Sequence, residues 1–299
     1  MKNISHRSPL FYVGDKYKLV GQIGRFFPKD IERFYEPFVG GGSVFMNVDA
    51  KEYHLNDFDK SIINIHLMLN SYCGREGEFF DDIFTLIRKY GLVSRHLGFS
   101  HCQGAKVDGA MLKALNSEGY YRMRKDFNDG GMKDIRLLYL MLIYGFNHMT
   151  RFNRKGEYNL PVGNLDFNKN TFKALNDYFA QIAMKHPQWY NHDFRTFLRD
   201  IDLAHNDFVY LDPPYLITSS QYNKMWDKEC EMALTDVMNH LDRKQVRFAV
   251  SNVVRYKGRR NTIFEEWATQ YNVHSISSNY KSYHDNSAKD IKEVLVTNY

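Results

Sequence analysis

At 299 residues, 43% of them hydrophobic and 15% aromatic, the chain can build one large domain or a core with a sizeable insertion, and no run approaches the ~20 apolar residues of a membrane helix. A formal net charge of +5, from 40 Lys and Arg against 35 Asp and Glu, admits a nucleic-acid partner without requiring one. Three scattered cysteines, Cys73, Cys102 and Cys230, fit neither a disulfide framework nor a zinc site, and Met1 to Arg7 lacks the apolar core of a secretory signal, so a reducing cytoplasm is the expected setting.

In chain order, the first predicted strand is Arg33-Phe34-Tyr35, which runs into Glu36-Pro37-Phe38-Val39-Gly40-Gly41-Gly42-Ser43. Consecutive glycines let backbone approach a ligand and take positive φ without a Cβ penalty. The next strand, Glu52 to Leu55, leads into Asn56-Asp57-Phe58-Asp59 and a helical pattern with Ile62, Ile63, Ile65 and Leu67. Asp57 lies seventeen residues after Gly40, about where a nucleoside-binding sheet puts the acid that meets ribose hydroxyls. The alternative is a tight turn at the glycines and an ordinary helix N-cap at Asp57 or Asp59.

Between about 70 and 165 the rhythm breaks. Gly98, Gly104 and Gly109 mark turns, a helix is predicted from Ile135 to Tyr144, and Asn153-Arg154-Lys155-Gly156 forms a basic turn. From Lys106 to Glu157 there are ten lysines and arginines against six acids, which suits an inserted recognition region of helical, loop-rich character. Strands resume at Phe208 to Leu211, followed by Asp212-Pro213-Pro214-Tyr215, and at Arg247 to Val250, followed by Ser251-Asn252. Tyr256 to Asn261 reads as a basic loop, Asn279 to His284 as a polar loop or hairpin, and Glu293 to Thr297 as the last strand. Strands alternating with helices predict an α/β fold with a mostly parallel, doubly wound sheet, its sites beyond the carboxyl ends of the strands.

The tetrapeptide at 212–215 carries the sharpest chemistry. Two prolines fix φ and remove two backbone donors. A carboxylate, a rigid carbonyl and an aromatic ring then converge at a strand end. The lone pair of an exocyclic amine is delocalised into its ring. Asp212 and the Pro213 carbonyl would hold both N–H bonds and turn that lone pair toward a methyl donor, with Tyr215 stacked on the base. A strand-terminating turn is the plain alternative.

With these motifs assembled, the sequence resembles the Dam-type, D12-class adenine-N6 DNA methyltransferases. Phe11-Tyr12-Val13-Gly14-Asp15-Lys16 is similar to the family's N-terminal aromatic motif, Glu36 to Ser43 to its glycine-rich motif, Asn56-Asp57 to its ribose-binding acid and Asp212 to Tyr215 to its catalytic motif. Their order resembles the α arrangement. The resemblance implies a Rossmann-like, S-adenosylmethionine-dependent methyltransferase sheet with an inserted, mainly helical DNA-recognition domain. It divides the chain into 1–69 with the cofactor motifs, 70–165 as the recognition region and 166–299 with the catalytic motif.

The same resemblance makes Tyr12, Lys16, Glu36, Pro37, Phe38, Gly40, Gly41, Gly42, Ser43, Asp57 and Asp212 the surroundings of S-adenosylmethionine, with no metal. It makes Asp212, Pro213, Pro214 and Tyr215 the catalytic group. Gly145 to Asn153 resembles the family's DNA-reading hairpin, so Phe146, Asn147, Met149, Arg151 and Asn153 are the expected DNA contacts. Arg151 would read a guanine, whose O6 and N7 match its fork; a solvated or phosphate-binding side chain is the alternative for Arg151, and core packing for Phe146 and Phe152. Relatives that act on GATC carry a lysine where this chain has Phe11, so GATC is a first expectation that lacks one of its base-reading residues. The implied partner is double-stranded DNA, with a cognate restriction endonuclease acting separately. The rival readings are methylation of cytosine N4, RNA adenine or a glutamine amide, and a catalytically silent DNA-binding module.

Overall fold

Short apolar runs and their following turns build a central sheet, described in the computed structural model over residues 5–98, 108–199, 201–218, 226–277 and 291–299. Expectations for Cys102, Gly104, Lys106 and Asn279 to His284 lie outside those residues. The strands are β1 (Arg33–Glu36), β2 (Glu52–Asn56), β3 (Gln188–Tyr190), β4 (Phe208–Leu211), β5 (Arg247–Tyr256), β6 (Arg259–Arg260), β7 (Asn272–Ile276) and β8 (Ile291–Thr297). Among the described residues they form one sheet in the order β3-β2-β1-β4-β5-β8-β7, with β6 hydrogen-bonded to β5. From β3 to β5 neighbours run parallel, while β8 runs antiparallel to both β5 and β7. The mostly parallel, doubly wound sheet expected from the alternation of elements is what forms.

Side chains alternate across it. Phe34, Phe208, Tyr210, Ala249 and Leu295 enter one apolar core, and Tyr35, Val209, Leu211, Phe248, Val250, Val294 and Val296 the other. Burial on both faces is why β4 reads as an unbroken apolar run.

The helices are α1 (Val20–Ile23), α2 (Lys60–Ser71), α3 (Glu76–Tyr90), α4 (Gly109–Asp129), α5 (Ile135–Tyr144), α6 (Lys169–Lys185), α7 (Phe194–Arg199), α8 (Lys228–Arg243) and α9 (Thr262–Ala268). Asp59, Asp108, Asp134, Asn168, Asp227 and Asn261 cap their N-termini by accepting backbone N–H bonds, each contact contributing about 1 kcal/mol. The first core continues from the sheet into residues 70–165: every residue of α5 from Leu137 to Tyr144 is buried, and Phe79 of α3 meets Phe179 of α6 edge to face at 5.3 Å.

Three details differ from the sequence reading. β5 does not end near Ser251-Asn252 but runs to Tyr256, because β8 pairs with it as far as Ile291. The stretch read as a basic loop is a tight hairpin: Lys257 and Gly258 both take positive φ, 48° and 76°, as a two-residue turn between right-twisted strands requires, and β6 returns along β5. Leu67, placed on the apolar stripe of α2, is exposed.

Candidate active site

β1 and β4 are neighbours and end side by side, so Glu36 and Asp212 come to the same edge of the sheet. Lys16, buried at 4% exposure, reaches Asp212, at 17%, with 2.7 Å between Nζ and Oδ2. The Tyr215 hydroxyl donates to Asp212 Oδ1 at 3.0 Å and lies equally close to Glu293 Oε1 from β8. Lys16 Nζ sits 5.1 Å from the centre of the Tyr215 ring. Both oxygens of Asp212 are thus aimed by fixed donors, and the Asp212 to Tyr215 turn holds the carboxylate at the mouth of the strand.

On the other side of β1, Asp57 leaves the end of β2. Its Oδ2 accepts the Gly40 N–H and its Oδ1 the Asp59 N–H, at 2.8 and 2.9 Å. Burial nevertheless raises the carboxyl to about 6, because the two amide bonds only partly offset desolvation. Gly40 is held from both directions, since its carbonyl lies 2.9 Å from His66 Nε2. That contact makes Nε2 the protonated nitrogen, so Nδ1 accepts the Tyr178 hydroxyl at 2.7 Å. Burial lowers His66 to about 4 and keeps it neutral. Gly42 has φ 84°, and a Cβ there would stand 2.5 Å from the Phe45 ring, so no other residue fits the turn.

Tyr12 covers this loop; a Cβ on Gly41 would meet the Tyr12 Cβ at 3.1 Å. Ser43 is buried and accepts the Ser8 N–H through its hydroxyl at 3.3 Å. Glu36 accepts the Phe45 N–H at 3.1 Å, and burial first, then the nearby Asp212 charge, pushes its carboxyl well above the usual range. The Pro37 carbonyl takes a bond from Asn56 Nδ2 at 3.0 Å, and Phe38 packs on Phe194 and Trp226 at 5.2 and 5.7 Å.

The residues expected to meet DNA sit on a hairpin whose arms pair at Gly145 with Val162 and at Phe152 with Tyr158. Its base is tight: a Cβ on Gly163 would lie 2.5 Å from the Gly145 carbonyl oxygen. α4 braces the returning arm, because Asn128 both donates to the Tyr158 carbonyl and accepts its N–H. Phe146 is 51% exposed and Phe152 lies edge-on to Tyr158 at 5.4 Å, also exposed, so core packing does not describe either. Asn147 stands in the left-handed region at φ 55°.

Arg151 is tied along one edge to Asn159, Nε to Oδ1 at 2.8 Å and Nη2 to the carbonyl at 2.7 Å. Two of the expected DNA contacts have other surroundings. Met149 is buried at 8% in the core, and the Asn153 side chain closes the hairpin turn through the amides of Lys155 and Glu157.

A family model described as D12 class N6 adenine-specific DNA methyltransferase matches residues 12–282. The chain belongs to the D12 class of N6 adenine-specific DNA methyltransferases. Similar curated proteins include Type II methyltransferase M.FokI of Planomicrobium okeanokoites, 33% identical over 98% of this chain and 43% of that one. Modification methylase StsI of Streptococcus sanguinis is 32% identical over the same shares. DNA adenine methylase of Escherichia coli K12 is 27% identical over 92% of this chain and 90% of its own. The chain therefore spans less than half the length of M.FokI and StsI.

The same region holds residues to which the sequence assigned no role of their own. Asn56, fully buried, exchanges two bonds with the backbone of His192 and so ties β2 to the segment after β3. Thr150 donates to Asp59 at 2.8 Å, linking the 145–163 hairpin to the turn after β2. Phe58, 61% exposed, stands beside Asp57. Periodicity assigns none of them a role, since Asn56 is the last residue of β2 and Phe58 and Thr150 lie in irregular segments.

Proposed function

We propose that the chain transfers a methyl group from S-adenosylmethionine to adenine N6 within a short site in double-stranded DNA, on a base turned out of the helix. The observation that carries this reading is the Asp212 carboxylate at the end of β4, aimed by Lys16 and Tyr215 and one strand away from the acidic turn at Asp57. The donor set suits a cationic nucleoside. The charges of Asp212, Asp57 and Asp15 all act on Glu36, with Lys16 on Asp212 as the facing cation, and S-adenosylmethionine carries a sulfonium and an ammonium against one carboxylate. Asp57 would accept the ribose hydroxyls, while Tyr12 and the Gly40 to Ser43 turn, with Glu36, Pro37 and Phe38, would shape the pocket.

When bound, S-adenosylmethionine supplies an activated methyl on sulfur. Asp212 and the Pro213 carbonyl accept the two N–H bonds of the amine and turn its lone pair toward that carbon, and Tyr215 stacks on the base. Residues 70–165 form the recognition region, with Phe146, Asn147 and Arg151 meeting the duplex. GATC is the first site to test. A cytoplasmic setting and a separately acting endonuclease complete the proposal; no helix among the described residues is long and apolar enough to cross a membrane. The test is transfer of labelled methyl from S-adenosylmethionine to duplex DNA, with analysis of the product nucleosides. N6-methyladenine is expected; N4-methylcytosine, or no transfer, would overturn the reading.

The Asp57 assignment makes its own prediction. A carboxyl raised to about 6 by burial favours the fold while protonated, below the unfolded value of ~3.9, and that contribution is lost as pH rises through about 6. The ribose hydroxyls need the ionised form, so affinity for S-adenosylmethionine should fall as pH drops from 7 to 5 and level off above 7. Asp57→Ala is expected to weaken binding by about 1.5–3 kcal/mol, and Asp57→Asn to abolish the pH dependence. Calorimetry giving Asp57→Asn the wild-type pH profile would return Asp57 to a purely structural turn.

A further inference from the structure

Arg7 lies at the seam between the cofactor loop and the recognition hairpin. Its backbone neighbours are pinned: His6 exchanges two bonds with the Asn47 side chain, both 2.8 Å, Ser8 donates to Ser43 and to the Gly41 carbonyl, and the Pro9 carbonyl accepts the Tyr139 hydroxyl. The exposed guanidinium lies 4.5 Å from the Phe11 ring centre and 5.4 Å from that of Tyr17. Among the described residues it forms no ion pair and no hydrogen bond. Phe11 itself has φ 48°, a left-handed conformation that an aromatic residue keeps only where its surroundings hold it. Its ring meets His148 of the recognition hairpin at 5.5 Å, and His148 lies between the exposed Phe146 and Arg151. On the other side, Tyr17 follows Lys16, whose ammonium rests on Asp212.

We infer that Arg7 reads a base: with its guanidinium resting over the Phe11 ring, it forks onto a guanine close to the target adenine. A phosphate contact needs only positive charge and works from a mobile side chain. A guanidinium stacked on an aromatic ring keeps its donors in one fixed plane, and the O6/N7 edge of guanine in the major groove is the planar acceptor pair that matches it. The strained Phe11 backbone is what carries the ring to that place. Arg7 is thus a second specificity residue, independent of Arg151 and on a different segment of the chain. The inference rests on the reading of the protein as a DNA adenine methyltransferase.

The test expresses wild type, Arg7→Ala, Arg7→Lys and Phe11→Leu in cells without other adenine methylation, then maps N6-methyladenine and its flanking bases. Wild type should show a motif with a fixed G·C pair that Arg7→Ala accepts as any pair, its discrimination falling roughly 5- to 150-fold at that position alone. Arg7→Lys should recover part of it, and Phe11→Leu, which keeps the charge but loses the ring, should loosen the same position. Calorimetric binding of S-adenosylmethionine by each variant verifies the fold. The wild-type motif in all variants overturns the inference, and so does a uniform loss across sequences with a salt dependence shallower by about one unit, the mark of a phosphate contact. Absence of N6-methyladenine with wild type removes the methyltransferase reading itself, and Arg7's role with it.

Discussion

Asp212→Ala is expected to lower methyl transfer to duplex DNA by roughly 10²- to 10³-fold, the loss typical of removing one preorganised polar contact at a reacting atom. The amine has to be held by acceptors that do not reorient during the reaction, and Asp212 is fixed from both oxygens, by Lys16 at 2.7 Å and the Tyr215 hydroxyl at 3.0 Å. The substitution also takes the carboxylate from a buried lysine, and breaking such a pair destabilises by about 3–5 kcal/mol in a fully buried setting, less here because Asp212 keeps some contact with solvent and Lys16 also donates to the Gly14 carbonyl. Lost activity through unfolding therefore has to be separated from lost chemistry. The double variant Lys16→Met/Asp212→Ala removes the lysine's charge, and Asp212→Asn keeps the shape and one acceptor. Loss of turnover in all three, with a retained cooperative melting transition, assigns the effect to the reaction. Asp212→Ala, alone or with Lys16→Met, retaining more than about a tenth of wild-type turnover, a loss under ~1.4 kcal/mol of barrier, would remove Asp212 from its role.

What could be read from the sequence followed the physics of each element. β4 is legible because it is buried on both faces and therefore apolar throughout, and the two prolines after it mark its end. β1, β2 and the acid at Asp57 are legible because a glycine turn and a carboxylate at strand ends are local features. The far half of β5 was not legible: Ser251, Asn252 and Arg255 break the apolar run, and only pairing with β8, some forty residues later, makes them strand. β3 and β7 are short and lie at the two edges of the sheet, where one-sided burial leaves little pattern. The ties made by Asn56 and His66 were not legible for a related reason. Asn56 ends β2 and His66 lies within α2, and the importance of each comes from where it hydrogen-bonds, to His192 in one case and Gly40 in the other. Arg7 is ordinary in sequence and becomes notable only when Phe11 is found beneath it.

Arg151→Ala is expected to relax discrimination at one base pair by about 1–3 kcal/mol while leaving non-specific DNA affinity nearly unchanged. The geometry specifies which part of the side chain does the reading. Nε and Nη2 are occupied along one edge by Asn159, so the opposite edge, between the two Nη groups, is the one that can meet a guanine. Asn159 in turn is held, because its N–H donates to the Arg151 carbonyl at 2.9 Å, and the arm carrying it is braced on Asn128 of α4. The fork is set before DNA arrives, so little side-chain entropy is lost on contact. Arg151→Lys should rescue only in part, since a point charge cannot form the two parallel bonds. Asn159→Ala should loosen the same base position less than Arg151→Ala does, because the fork survives but wanders. The measurement is methylation of duplexes carrying every single substitution in the target, for wild type and the three variants. If Arg151 meets phosphate instead, Arg151→Ala will weaken all substrates alike and lower the salt slope by about one unit, and Asn159→Ala will leave discrimination untouched.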